Sequence, residues 1–267
     1  MQHVVFNQKG GVGKSTITCN LAAISASQGM RTLVIDLDSQ GNSTRYLLGA
    51  DMPKDLPNVA EFFEQSLKFS IRDKEACEYV TQTPWEGLDV MPSSPELDEL
   101  HGKLESRHKI YKLRDALDRL AKIYDQIYID TPPALNFYTR SALIAAKGCL
   151  IPFDCDDFSR RALYTLMDNV QEIKSDHNPK LKVEGIIVNQ FQARANLPQR
   201  MVQELIDEGL PVLQPYLSAS VKIKESHEQA KPMVHLDARH KLTLEFEALY
   251  DTLSAPAKPE ARKARKR

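Results

Sequence analysis

The run Asn7-Gln8-Lys9-Gly10-Gly11-Val12-Gly13-Lys14-Ser15-Thr16 holds residue types suited to gripping phosphate. Glycines let backbone N–H groups turn inward, a lysine brings charge, and a hydroxyl can ligate Mg²⁺. The apolar Val4-Val5-Phe6 precedes it as a β-type run, and residues 17–28, rich in Ala, Leu and Ile, follow as a helix. A glycine loop between a strand and a helix N-terminus is an anion site, because the helix dipole adds to the inward N–H groups. In such a layout the backbone from Gly10 through Gly11, Val12 and Gly13 to Lys14 wraps the phosphates. Lys14 reaches the β- and γ-phosphates, and Ser15 offers its hydroxyl to the metal. The plain alternative is a glycine-rich turn with two lysines. It leaves the register of strand, loop, lysine, hydroxyl and helix to coincidence.

Two further strand ends carry carboxylates. Residues 31–37 (Arg-Thr-Leu-Val-Ile-Asp-Leu) read as a strand buried on both faces, finishing in Asp36-Leu37-Asp38-Ser39-Gln40-Gly41-Asn42. Carboxylates two apart share one side of a strand end, and in open α/β sheets those ends form the ligand crevice. A solvated acidic turn is the alternative. Asp125-Gln126-Ile127-Tyr128-Ile129-Asp130-Thr131-Pro132-Pro133 is a strand leading to an aspartate and a turn. This is the Walker B layout, in which Asp130 orients Mg²⁺ through water. Residues 183–189 form another strand, ending at Asn189. The residues after it are Gln190, Phe191 and Gln192, so the guanine-reading pattern Asn-Lys-x-Asp is absent and ATP is favoured over GTP.

An ordinary P-loop has glycine five residues before Gly13, where this chain has Gln8. The run Lys-Gly-Gly-Val-Gly-Lys-Ser-Thr instead resembles the deviant Walker A motif of the ParA/MinD family of ATPases, and Asp-Thr-Pro-Pro at 130–133 resembles that family's Asp-x-Pro-Pro. The three motifs span residues 7–133, with weaker resemblance to about Leu253. The resemblance implies that Lys9 crosses a homodimer interface to the partner's nucleotide. It also implies that Asp38 orients the attacking water, Thr16 supports the α-phosphate, and Asn189 lies near the base. It further implies ATP and Mg²⁺ as cofactors, an ATP-state homodimer, and non-specific DNA and an activating ParB-like adaptor as partners. Hydrolysis then serves as a dimerisation switch that positions DNA or a large cargo. One departure stands out. Chromosome-partition relatives typically show Ile-Pro-Arg-Asn-Val-Arg-Leu-x-Glu-Ala where this chain has Ser218 and Ala219 at the Pro-Arg positions. Lys222 and Lys224 partly replace the charge, and DNA binding falls to them and to Arg262, Lys263 and Arg265.

The elements that must position these residues follow from the remaining patterns. Gly29 ends the first helix. Residues 59–67 read as a short helix with Phe62 and Phe63 inward, after a loop marked by Pro53 and Pro57. Residues 88–91 make a short strand closed by Pro92. Residues 95–122 are helical through Leu97, Leu100, Leu104, Leu113, Leu117 and Leu120, with a break near Ser106-Arg107. Residues 148–153 are a buried strand, and 159–175 a helix. Asp154-Cys155-Asp156-Asp157 between them reads as a loop with helix N-terminal charge rather than a metal site. Residues 211–217 are a late strand and 235–253 a closing helix. No internal repeat stands out.

Alternating strands and helices give an α/β fold, a doubly wound, mostly parallel sheet flanked by helices; the resemblance makes it a SIMIBI-type P-loop NTPase. With 267 residues, one domain over 1–254 suffices, followed by a tail at 255–267 that reads as disordered. The chain's net charge is −1, but the tail alone is +5, leaving the body at −6. The tail's Ala, Pro, Lys and Arg lack an apolar stripe, which opposes membrane anchoring and leaves loose contact with DNA phosphates. The four cysteines, Cys19, Cys77, Cys149 and Cys155, form no C-x-x-C pair, and Cys19 and Cys149 sit in apolar runs. Buried thiols, no signal peptide and no membrane-length apolar run point to a cytoplasmic protein, and the resemblance implies that it is nucleoid-associated. Three rivals carry other chemistry. A P-loop metabolic enzyme, transferring phosphate or ligating a small acid, needs a cluster of convergent polar groups beyond the loop. A MinD-like membrane-positioning ATPase is opposed by the tail. A nitrogenase-type reductase needs cluster-ligating cysteines after Asp130.

Overall fold

The computed structural model describes residues 1–53, 55–68, 73–155 and 159–255. Seven strands form one sheet: β1 (Gln2–Val5), β2 (Thr32–Asp36), β3 (Thr81–Gln82), β4 (Leu88–Met91), β5 (Gln126–Asp130), β6 (Gly148–Asp154) and β7 (Lys182–Asn189). Their spatial order is β3-β4-β2-β5-β1-β6-β7, with β3 antiparallel on the edge and the rest parallel. Helices α1 (Lys14–Ser27), α2 (Asn42–Leu48), α3 (Val59–Glu64), α4 (Leu97–Ser106) and α5 (Lys112–Leu120) accompany the first five strands. Then come α6 (Phe137–Ala145), α7 (Ser159–Asp176), α8 (Asn196–Asp207), α9 (Lys222–Glu228), α10 (Met233–Leu236) and α11 (Lys241–Ser254).

The continuous apolar strand runs have a physical reason. Alternate residues feed two separate layers. Val4, Leu33, Ile35, Ile127, Ile129, Cys149, Ile151, Ile186 and Val188 pack under α3 to α8. Val5, Val34, Tyr128, Leu150 and Ile187 pack under α1, α2 and α11. A sheet covered on both faces favours apolar side chains at successive strand positions, and the polar ones that remain, such as Asp36 and Asp130, sit at strand ends. Cys19 and Cys149 are both buried.

The helical break at 106–107 is real, separating α4 from α5, and all six leucines assigned to that region are buried. Two expectations change. Residues 211–217 run beside β7 but form only isolated bridges, Ile186 with Val212 and Phe191 with Ser218. Pro211 and Pro215 offer no N–H to a ladder. The closing helix begins at Lys241, not His235. The imidazole of His240 accepts from the Leu242 N–H and so caps it, while α10 is a separate turn ending at an extended Asp237.

Phe63 is fully buried, edge-on to Phe62, Phe137 and Tyr138, and joins α3 to α6. Phe63→Ala is expected to destabilise the protein by about 3–5 kcal/mol, because a large cavity opens between two helices. Urea unfolding followed by circular dichroism measures this, and a loss well under 1 kcal/mol would mean that the α3–α6 seam collapses freely onto the gap.

Candidate active site

Chain order brings β1 between β5 and β6, so the glycine loop emerges at the centre of the sheet, over the carboxyl ends. Two side chains hold it there. Asn7 donates to the Pro152 carbonyl of β6 at 2.6 Å, and its oxygen accepts from the Lys9 N–H at 2.9 Å. Asn189, at the end of β7, donates to the Val12 carbonyl at 2.9 Å. Gly13 has a φ of 91°, and a Cβ there would lie 2.3 Å from the Asn189 amide nitrogen. Only glycine satisfies both the left-handed backbone and that close approach. Gly13 is also the N-cap of α1, whose first turn carries no acidic residue, so its positive end meets no acidic side chain there.

Lys14 is nearly buried, and its ammonium donates to the Lys9 carbonyl at 3.1 Å. Burial lowers its pKa, against the pull of Asp130 and Asp38. Asp36 and Asp130 are register partners on β2 and β5, so two fully buried carboxylates stand side by side. The carboxylate of Asp36 accepts from the N–H and hydroxyl of Thr44, at 2.8 and 2.7 Å, and from the Asp38 N–H at 3.2 Å. That of Asp130 accepts from the Ser43 hydroxyl at 2.7 Å on one oxygen, while its buried Oδ1 has no hydrogen-bond partner. Asp38 is buried, and its Oδ1 accepts from the Gln40 N–H at 3.1 Å.

Burial raises Asp36 far above the ordinary carboxylate range, and the neighbouring Asp130 charge adds to this; the Thr44 and Asp38 donors pull it back. Burial likewise raises Asp130, against Ser15, Ser43 and Lys14. An orphaned carboxylate oxygen beside a serine hydroxyl and a second buried acid is a donor set suited to a hard divalent cation. Among the described residues no group of three or more His, Cys, Asp and Glu side chains is placed to hold a metal ion.

Two cavities flank the loop. One, of about 600 Å³, is lined by Gly10, Lys14, Thr16, Asp38, Arg45 and His227. The other, of about 410 Å³, is lined by Gly13, Asn189, Ala219, Val221, Lys224 and Phe246. Lys222 lies away from them in an ion pair with Glu225 at 2.8 Å, and Lys224 is exposed. Arg262, Lys263 and Arg265, and the disorder expected of the tail, lie outside the described residues, as do Asp156 and Asp157. Ser43 and Thr44 were not legible as site residues. Their only signal is that they open the first turn after Asp36-x-Asp38. Among the described residues no helix is long and apolar enough to cross a membrane.

An acid whose pKa is raised on folding contributes stability that is complete below the unfolded carboxylate range and is lost as pH rises through the raised value. For Asp36 and Asp130 the nucleotide-free protein should therefore lose stability from the ordinary carboxylate range towards neutrality and above. Asp130→Asn removes one charge of the pair and should shrink the stability difference between about pH 5.5 and about pH 8. Urea titrations at the two pH values give the answer, and an undiminished difference would place the pH dependence elsewhere.

Residues 2–183 match a family described as an AAA domain. The chromosome partitioning protein ParA of Myxococcus xanthus is 34% identical over 241 residues, which cover 89% of this chain and 82% of that protein. Cobyrinic acid a,c-diamide synthase from Mycobacterium smegmatis, solved with an ATP analogue and magnesium, is similar at a TM-score of 0.78 and 26% identity. That match covers 93% of this chain and 92% of that one. The ATP complex of McdA from Cyanothece shares the fold at a TM-score of 0.82 and 22% identity, covering 97% and 98% of the two chains. With the family match spanning well over half its length and the partitioning relative nearly all of it, the chain belongs to the ParA/MinD family of ATPases.

Proposed function

We propose that this protein is a Mg²⁺-dependent ATP hydrolase whose ATP state is a homodimer, and that it uses this switch to partition or position DNA or a large cargo. The observation that carries the reading is the buried Lys14 ammonium beside the unpartnered Asp130 oxygen, at the mouth of a helix N-terminus. The similar structure with an ATP analogue and magnesium supports the ligand pair, and the partitioning relative supports the biology.

The loop N–H groups from Gly10 to Lys14 receive the phosphates, and Thr16 holds the α-phosphate. Lys14 exchanges its carbonyl partner for phosphate oxygens. Ser15 and, through water, Asp130 would hold Mg²⁺, which when bound neutralises phosphate charge. Asp38 orients the attacking water, and Lys9 reaches the partner's nucleotide, as an arginine finger supplied in trans does. Asn189, Gly13 and Ala219 border the space for the base. A ParB-like adaptor accelerates a slow basal turnover, in the cytoplasm and on the nucleoid.

A second reading rests on the diamide synthase likeness: ATP-driven ligation of a small acid. It expects ATP consumption to depend on an organic acid and an amine donor, and to ignore DNA.

Lys14→Ala should abolish Mg-ATP binding in calorimetry, and undiminished affinity would remove the phosphate-loop assignment. Asp38→Ala should bind ATP, hydrolyse it poorly and accumulate as a dimer. Lys9→Ala should bind ATP yet stay monomeric in light scattering with a non-hydrolysable analogue.

DNA binding should need ATP and fall steeply with salt, with a slope of about −0.9 per phosphate neutralised. Removing residues 255–267 should weaken it, and Lys222→Ala with Lys224→Ala should weaken it further. A gel shift on random duplex with ATP, with ADP and without nucleotide reads this. Binding indifferent to nucleotide would reduce the tail to a simple polycation.

A further inference from the structure

The outer wall of the larger cavity comes from neither the loop nor the acids. It comes from α9. There His227 Nε2 lies 2.9 Å from the Thr16 hydroxyl, on the first turn of α1. The imidazole stacks flat on Tyr46 of α2, with ring centroids 4.2 Å apart and planes 8° from parallel. One ring face is thus covered, while the residue borders the cavity with Lys14, Asp38 and Arg45.

A polar seam fixes the ring from beneath. The Tyr46 hydroxyl accepts from Asn20 Nδ2 at 3.1 Å and shares a hydrogen bond with Ser226. The Ser226 hydroxyl reaches the Lys231 carbonyl, and Asn20 Oδ1 accepts from the Met233 N–H at 2.8 Å. So α1, α2, α9 and the start of α10 are tied together under His227. The stack on Tyr46 and the Thr16 hydrogen bond orient the exposed ring, and which role Nε2 takes in that bond depends on which nitrogen carries the proton.

That choice decides what Thr16 can offer a ligand. A hydroxyl has one proton to donate, and a phosphate oxygen only accepts. When Nε2 lacks a proton, Thr16 donates to His227 and turns lone pairs toward the cavity. When Nε2 carries one, His227 donates to Thr16, and the Thr16 proton is free to point at an anion. We propose that His227 is a positioning residue for the nucleotide: the bound nucleoside diphosphate or triphosphate selects its Nε2–H form, which donates to Thr16 so that Thr16 can donate to the phosphate at the start of α1. This rests on the phosphate-loop reading above.

Two substitutions separate hydrogen bonding from packing. His227→Gln keeps an N–H donor at the reach of Nε2, and His227→Phe keeps the stack on Tyr46 without a donor. Calorimetry with Mg-ADP is expected to show about a tenfold or greater loss for His227→Phe and near-native affinity for His227→Gln, the range for a hydrogen bond serving a charged group. In a Thr16→Val background, His227→Phe should cost nothing further, because the two residues act as one unit. In nitrogen NMR of the labelled wild-type protein, His227 Nε2 should carry a proton in the Mg-ADP complex. Native affinity in His227→Phe, equal losses in both variants, or an unprotonated Nε2 in the complex each overturns the proposal. Absence of Mg-ADP binding by the wild-type protein would instead overturn the phosphate-loop reading, and this proposal with it.

Discussion

Two carboxylates buried in register set the terms for the rest of this structure. Asp36 and Asp130 end adjacent parallel strands, which in any sheet run about 4.8 Å apart. At that spacing and an effective dielectric constant near 20, full ionisation of both would carry a repulsion of about 3 kcal/mol, on top of desolvation. The chain answers with donors. Thr44 supplies two, the Asp38 backbone one, and Ser43 one. All four come from the segment just after β2, so the acids fold the β2–α2 turn around themselves. The placement of Asp38 at the mouth of the site is a consequence of that turn.

The loop is held by the opposite half of the sheet. Asn7 fastens it to β6 and Asn189 fastens it to the end of β7. Between these anchors and the acid-bound turn, the ends of β2, β5, β1, β6 and β7 all fix some part of the site. A loop fastened at both sides is already ordered, so little ordering would be left for ligand binding to bring about.

This division also explains what could be read in advance. The strands of the central sheet were legible, because alternate residues fill two layers and leave unbroken apolar runs. The three strand-end motifs were legible because each couples such a run to a charged or glycine-rich turn. Helices α2 and α9 were not, since seven residues give barely two turns of period. Helix α2 also starts from a left-handed Gly41, with no side-chain cap to announce it. Ser43 and His227 hydrogen-bond to partners far away in sequence, Asp130 and Thr16, and no local pattern encodes that. The late segment at 211–217 has strand-like composition, but composition does not reveal that its prolines interrupt a ladder.

Lys14 shows how a charge can stay buried in this site. Its ammonium takes a backbone carbonyl of its own loop as acceptor and lies in the field of Asp130 and Asp38. Burial lowers its pKa, and these partners oppose that. In the proposed reading, the lysine would surrender one neutral acceptor to phosphate and gain charged ones, roughly twice as strong each. The gain in binding is therefore a difference between two satisfied states, not the full worth of a salt bridge. The same logic applies to the unpartnered oxygen of Asp130, with opposite sign. That oxygen makes no hydrogen bond to a protein donor, so a cation held there would not cost the protein one. The loop side of the site is thus balanced before its ligand comes, while the acid side is left strained toward a positive charge.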